Sequence, residues 1–255
     1  MTNSKQKAET FHALHIRGTP VVLFNIWDAG SAKAVVAAGA RALATGSWSV
    51  AKANGYTDGE KTPFELAIGN IRRIAQAVDV PVSIDIESGY GTTPDAVAKS
   101  IEQTIEAGAI GCNLEDSFPE NGQLRGIDEQ AERIRRARKA ADASGIRYFI
   151  NARTDVFFQK DSQQNEAALA EVLERARAYA EAGADGLFVP GLSDETLIAR
   201  LTAAASLPVN IMVGDKTPSL PRLAQLGVAR VSHGPGPFLR AMKALEEAAR
   251  EAMRT

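Results

Sequence analysis

The chain has 255 residues, 29 Lys and Arg against 31 Asp and Glu for a formal charge of −2, and a hydrophobic fraction of 45%. That length suits one large α/β domain or two small ones with ample core, and the even mixing of charge excludes the basic footprint of a nucleic-acid binder and a polybasic membrane patch. The single cysteine, Cys112, excludes an intrachain disulfide and a thiolate metal cluster, and no apolar run is long enough to span a membrane, so a reducing cytoplasm is the expected setting.

Ser4 to Ile16 reads as a short helix with His12 and His15 on its surface, and Gly18-Thr19-Pro20 leads into the apolar run Val21 to Ile26. From there a unit repeats: apolar strand, polar loop, Ala-rich amphipathic helix, glycine, next strand. Further apolar runs follow at Ala42 to Thr45, Val82 to Ile86, Ile110 to Leu114, Tyr148 to Asn151, Gly186 to Val189, Val209 to Val213 and Val228 to Ser232. Proline opens three of them, where a missing N–H costs little. Eight strands alternating with helices over this length predict a single (β/α)8 barrel spanning 1–255, preferred to an open doubly wound sheet because no GxGxxG or GxxxxGK[ST] follows any strand. The tail from Phe238 to Met253 is one long helix that either caps the barrel or packs on a neighbouring subunit. Two connections are long, Gly46 to Thr62 and Ser117 to Ile127. Both follow strands, so a barrel puts them on its C-terminal face, as lids or as surface excursions.

The strand ends carry the chemistry. Asp85 and Glu87 lie two residues apart in PVSIDIESGYG, and strand alternation predicts that both carboxylates share a face. They are either solvated loop acids or oxygen ligands of a hard cation. Glu115 and Asp116 end the fourth strand and Arg153 and Asp155 the fifth. Several acids around one arginine are unfavourable without a cation and an anionic ligand to balance them. The simplest reading is Mg2+ or Mn2+ held mostly through Asp85, with Glu87 and Glu115 as direct or water-mediated partners and Arg153 pairing with a substrate carboxylate or enolate oxygen. Cys112 reads as a core thiol, and no Ser/His/Asp arrangement emerges.

Taken together, TGS at Thr45 to Ser47, GYTD ending at Asp58, DIESGYG from Asp85, NLED from Asn113, NARTD from Asn151 and the NI at Asn210 resemble the isocitrate lyase and phosphoenolpyruvate mutase superfamily in order and interval. The resemblance implies a (β/α)8 barrel with its C-terminal helix swapped between subunits of a homo-oligomer, a tetramer or dimer of dimers. It implies Mg2+-dependent chemistry on small 2-oxo or 2-hydroxy acids through a pyruvate-type enolate. Asp85 is then the direct metal ligand with Glu87 and Glu115 in water-bridged support. Thr45 with the amides of Gly46 and Ser47 receives the substrate carboxylate, as does the neighbourhood of Asn210. Arg153 takes the oxo or enolate oxygen, and Asp58 is the acid on a mobile loop near the metal.

The departures narrow the reaction. Where the tricarboxylate lyases carry a K[KR]CGH run, this chain reads FPENGQLRG, without Cys, Lys or His. In the predicted mobile loop of Glu120, Asn121 and Gly122, the negative Glu120 stands where phosphonate-processing members have Lys, which disfavours a phosphonate. The expected function is a carbon–carbon lyase or decarboxylase on a small dicarboxylate such as oxaloacetate. The alternatives are a phosphoenolpyruvate or carboxyphosphonoenolpyruvate mutase, and a barrel that binds a 2-oxo acid without turning it over.

Overall fold

A computed structural model describes residues 2–159 and 161–254; Met1, Lys160 and Thr255, which include both ends of the predicted domain span, lie outside it. In chain order the elements are α1 (Thr2–Ala13), β1 (Val21–Leu23), α2 (Ala29–Ala37), β2 (Leu43–Ala44), α3 (Ser47–Ala53), α4 (Phe64–Ala77), β3 (Val82–Asp85), α5 (Pro94–Glu106), β4 (Gly111–Glu115), α6 (Ile127–Ala143), β5 (Phe149–Arg153), α7 (Glu166–Glu181), β6 (Gly186–Phe188), α8 (Glu195–Ala204), β7 (Val209–Met212), α9 (Leu220–Gln225), β8 (Arg230–Ser232) and α10 (Gly236–Ala252). All strand pairs are parallel, in the order β1-β8-β7-β6-β5-β4-β3-β2. A bridge between Ile26 and Thr45 joins β1 to β2 and closes the ring. All eight predicted strands are present.

Alternation along the strands divides the core. Ile84, Cys112, Leu114, Ile150, Ala152, Leu187 and Ile211 face outward and pack under the helices. The Cys112 thiol is fully buried and pushed up to about 12 by burial, an inert core group as expected. At the N-terminal mouth, α1 closes the barrel: Phe11 stands edge-on to Phe149 at 5.3 Å in a cluster with Ala8, Leu23, Ala44 and Ile110.

Three expectations change here. The 46–62 connection begins with a helix, α3, capped by Gly46 rather than by a hydrogen-bonding side chain, which is why no N-cap signal announces it. Glu87 has left the strand: β3 stops at Asp85 and Glu87 has φ 51, so alternation does not extend to it. His12 and His15 are half-buried rather than freely exposed. His15 stacks on Phe149 with centroids 4.1 Å apart, and burial followed by the charge of Arg230 lowers it to about 3. The unfolded chain therefore binds a proton near pH 6.5 that the folded chain refuses, so stability falls as pH drops through that range, by about 1.4 kcal/mol per unit. Denaturant midpoints measured from pH 7 to 5 are expected to decline less in a His15→Phe variant than in the parent.

Candidate active site

Asp85 at the end of β3 is fixed by three neighbours. Its amide donates to Thr45 Oγ1 at 3.0 Å, its Oδ1 accepts from the Glu87 amide at 3.1 Å and its Oδ2 from the Ser47 amide at 3.4 Å. The half-buried carboxylate faces a cavity of about 340 Å3 at the C-terminal end of the barrel, together with Asp58 and Arg153. The metal-ligand candidate and the arginine thus share one chamber.

Arg153, at the end of β5, is enclosed by acids. Its Nη1 forms an ion pair with Glu115 Oε2 at 2.7 Å, while its Nε donates to Asp155 Oδ1 at 2.6 Å and its Nη2 to Asp155 Oδ2 at 2.9 Å. Asp155 takes two of the five guanidinium protons. Burial works against this charge, but Glu115, Asp155 and Asp85 outweigh it and hold the group cationic. Burial likewise drives Glu115 well above the carboxylate range despite Arg153. Asp155 is itself positioned. Its amide donates to buried Asp116 at 3.0 Å, Ser117 Oγ donates to its Oδ2 at 2.8 Å, and Asp116 also accepts from Tyr179 Oη at 2.8 Å and Arg175 Nη1 at 3.1 Å. Sequence reading gave Asp116 and Asp155 no role; both stand in the quoted motifs, and only the fold shows them orienting Arg153.

The loop carrying Asp58 is pinned by two glutamates. Glu87 Oε2 accepts from the amides of Gly59 and Glu60, both at 2.7 Å, while Tyr90 Oη donates to Glu87 Oε1 at 3.1 Å. Glu60 Oε1 in return accepts from Ser88 Oγ at 2.7 Å and the Tyr90 amide at 2.8 Å. Glu60, Glu87 and Tyr90 all have positive φ, near 50–56° (56, 51 and 51), a conformation that costs a non-glycine residue about 1–3 kcal/mol and survives only where surroundings enforce it. Both Glu87 oxygens are thus engaged by the loop and Tyr90. Burial, then Asp58, push Glu87 up to about 7, and burial, then Asp85, raise Asp58 as well. Nothing in the sequence marks Glu60 beyond its place two residues after Asp58. A Glu60→Ala variant is expected to speed hydrogen exchange at the Gly59 and Glu60 amides by about tenfold or more, since loss of the clasp frees that turn.

The remaining predicted residues are distributed as follows. Thr45 lies behind Asp85 rather than in the cavity. The Gly46 amide is spent on the Ile26 carbonyl at 3.2 Å in the barrel closure and the Ser47 amide on Asp85, so neither amide expected to hold a carboxylate is free. At the start of α3 the Trp48 and Ser49 amides have no partner among the described residues. Asn210 sits one layer down, exchanging hydrogen bonds with Ser232 at 3.1 Å. Glu120, Asn121 and Gly122 form the exposed tip of a hairpin bridged at Ser117 and Leu124, and none lines the cavity. Arg230 is buried below the site, donates to Asn113 Oδ1 at 3.1 Å and is lowered to about 9 by burial against the pull of Asp85.

The donor set suits a hard dication. Acids surrounding Arg153 and Asp85 outnumber the cations, yet among the described residues no three His, Cys, Asp or Glu side chains converge to hold an ion unaided. Mg2+ takes few protein carboxylates and completes its shell with water and ligand oxygens, so Asp85 alone would be its protein ligand here.

A parallel eight-stranded barrel with acids and an arginine gathered at the strand ends defines an α/β-barrel enzyme site. Residues 11–253 match the family model described as phosphoenolpyruvate phosphomutase, and the chain belongs to that family, within the isocitrate lyase and phosphoenolpyruvate mutase superfamily. A crystal structure from Burkholderia cenocepacia J2315, provisionally called a phosphonomutase, is 56% identical, covers 98% of this chain and 99% of its own, and superposes with TM-score 0.95. The Mycobacterium tuberculosis protein Rv1998c is 36% identical over 94% of this chain and 88% of its own length. The 2-methylisocitrate lyase of Escherichia coli K12 is 28% identical over 82% of this chain and 71% of its own.

Proposed function

We propose that this protein is a Mg2+-dependent carbon–carbon lyase or decarboxylase acting on a small 2-oxo dicarboxylate such as oxaloacetate. The observation that carries the reading is the shared cavity of Asp85, Arg153 and Asp58. The relatives named 2-methylisocitrate lyase and oxaloacetate decarboxylase support it. Asp85 would hold the ion, which when bound supplies a Lewis acid for the substrate carbonyl. The Trp48 and Ser49 amides receive the carboxylate beside that carbonyl. The N–H groups of Arg153 not engaged by Asp155 stabilise negative charge as it develops on the carbonyl oxygen. In decarboxylation the bond from carbon 3 to carbon 4 breaks, CO2 leaves, and the electron pair forms the enolate between carbons 2 and 3. Asp58, raised by burial, is the group suited to return a proton to carbon 3 and give pyruvate.

The test is pyruvate release from oxaloacetate and related diacids with and without Mg2+. A second reading, phosphorus–carbon chemistry, is favoured by the family model's description and is tested by phosphorus NMR on phosphonopyruvate. Oxalate binding without turnover or exchange of pyruvate methyl protons would instead favour a binding barrel.

Assembly follows from α10. Only Pro237 and Phe238 of this helix are buried; Leu239, Met242 and Leu245 are exposed at helical spacing. An apolar groove of about 640 Å3 lined by Leu14, Ile16, Val22, Phe24 and Val35 lies open beside β1. We infer that α10 of a second copy fills this groove. A Leu245→Glu variant is expected to shift the protein to a smaller species in analytical ultracentrifugation; an unchanged sedimentation coefficient would refute the exchange.

A further inference from the structure

The cavity walls hold more apolar surface than an unsubstituted four-carbon diacid can use. The Arg153 guanidinium lies between two phenyl rings, Phe158 at 5.5 Å and Phe188 at 5.8 Å from its carbon. Trp48 and Met212 continue the apolar side, and Trp48 is braced edge-on by Phe238 with centroids 6.0 Å apart. Phe158, in the short turn after β5, is 47% exposed at the mouth, an aromatic surface that gains from being covered.

Among the described residues, the polar side offers no place for a third carboxylate. Arg153 is the cation among the residues lining the cavity. Of the neutral groups there, Asn25 Oδ1 accepts from the His233 and Gly234 amides at 2.8 and 2.9 Å while its Nδ2 donates to the Thr45 carbonyl at 3.1 Å. Ser232 is paired with Asn210, and Asn113 Oδ1 accepts from both Asn151 and Arg230. The hairpin from Ser117 to Leu124 contains no basic residue to swing inward. A volume near 340 Å3 lies at the lower end of the range for drug-sized ligands, beyond what oxaloacetate fills.

We propose that the site selects a 2-oxo dicarboxylate with an apolar substituent, branched alkyl or small aryl, on carbon 3, and that Phe158 is a specificity-determining residue on which the substituent rests. The inference depends on the enolate reading above. In the reaction the bond between carbons 3 and 4 breaks, CO2 departs, the electron pair closes the enolate, and a proton on carbon 3 yields the substituted 2-oxo acid. Asp58 delivers that proton and recovers one from water; no other reactant is needed.

The experiment compares kcat/KM for oxaloacetate with its 3-methyl, 3-isopropyl and 3-benzyl derivatives under Mg2+, in the parent and in Phe158→Ala, a substitution at an exposed position that the fold tolerates. An apolar contact of this size is worth about tenfold or more in selectivity. The parent is expected to favour the branched or benzyl acid over oxaloacetate by that factor, and the ratio is expected to fall toward one in Phe158→Ala. A merely structural residue would lower both rates together and leave the ratio intact, which would overturn the assignment. Equal or better turnover of oxaloacetate in the parent would overturn the proposal while leaving the enolate reading standing; no turnover of any acid in the series would overturn both.

Discussion

Turnover by an Asp85→Asn variant is expected to fall about a thousandfold, some 4 kcal/mol of lost transition-state stabilisation, and added Mg2+ should no longer raise the rate. The carboxylate accepts from two amides, Glu87 at 3.1 Å and Ser47 at 3.4 Å, and turns its remaining lone pairs to the cavity. An asparagine keeps one acceptor oxygen but sets an N–H against the other amide, and it brings no charge for a dication. Because the side chain is only half-buried, the fold should survive. Thermal melting separates the roles: Mg2+ together with oxalate should raise the melting temperature of the parent and leave that of the variant unmoved. An undiminished shift in Asp85→Asn would remove Asp85 from the metal site.

The second large effect is at Arg153. Replacing it with Met strips the counter-charge from Glu115 and Asp155, both within 2.9 Å of the guanidinium, and such a rupture costs about 3–5 kcal/mol. Catalysis should fall about a hundred- to a thousandfold besides. Lysine is a poor substitute, since one ammonium cannot serve Glu115 and both Asp155 oxygens at once. The pH dependence has a defined sign. Glu115 is already raised by burial with Arg153 opposing, and without Arg153 it rises further. The folded variant then holds a proton that the parent releases, so its deficit against the parent grows as pH rises through the range in which the parent's raised Glu115 ionises. Urea midpoints of Arg153→Met should lie nearer the parent at pH 5 than at pH 8; a constant gap would mean that the carboxylates are not stabilised by the arginine.

Much of this was legible before any coordinates. Prolines opening strands, glycines closing helices and eight apolar runs define a barrel because each marks a local backbone requirement that does not depend on distant residues. Gly183 is one case: it has φ 100, and a Cβ there would meet Arg138 Cγ at 2.7 Å. The gathering of Asp85, Glu115 and Arg153 was legible for the same reason, since strand ends of a parallel barrel share one face. What escaped depends on contacts made across the fold. Glu87 looked like a strand residue because a glutamate with positive φ is uncommon, and the amides that hold it belong to a loop 27 and 28 residues earlier. His15 looked like a surface histidine because its stacking partner Phe149 lies at the far end of another element. The seven-residue α3 is too short to show a period and has no polar cap, so its free amides could not be anticipated.

The ring closure has a consequence for biosynthesis. Val21 pairs with Arg230, so the first strand meets this neighbour only after the chain through β8 has left the ribosome. Until then Leu23 and the plug residue Phe11 lack a complete burial site. Nascent chains stalled before the eighth strand should consequently remain chaperone clients, and premature-stop variants late in the gene should be degraded rather than accumulate as partly working protein.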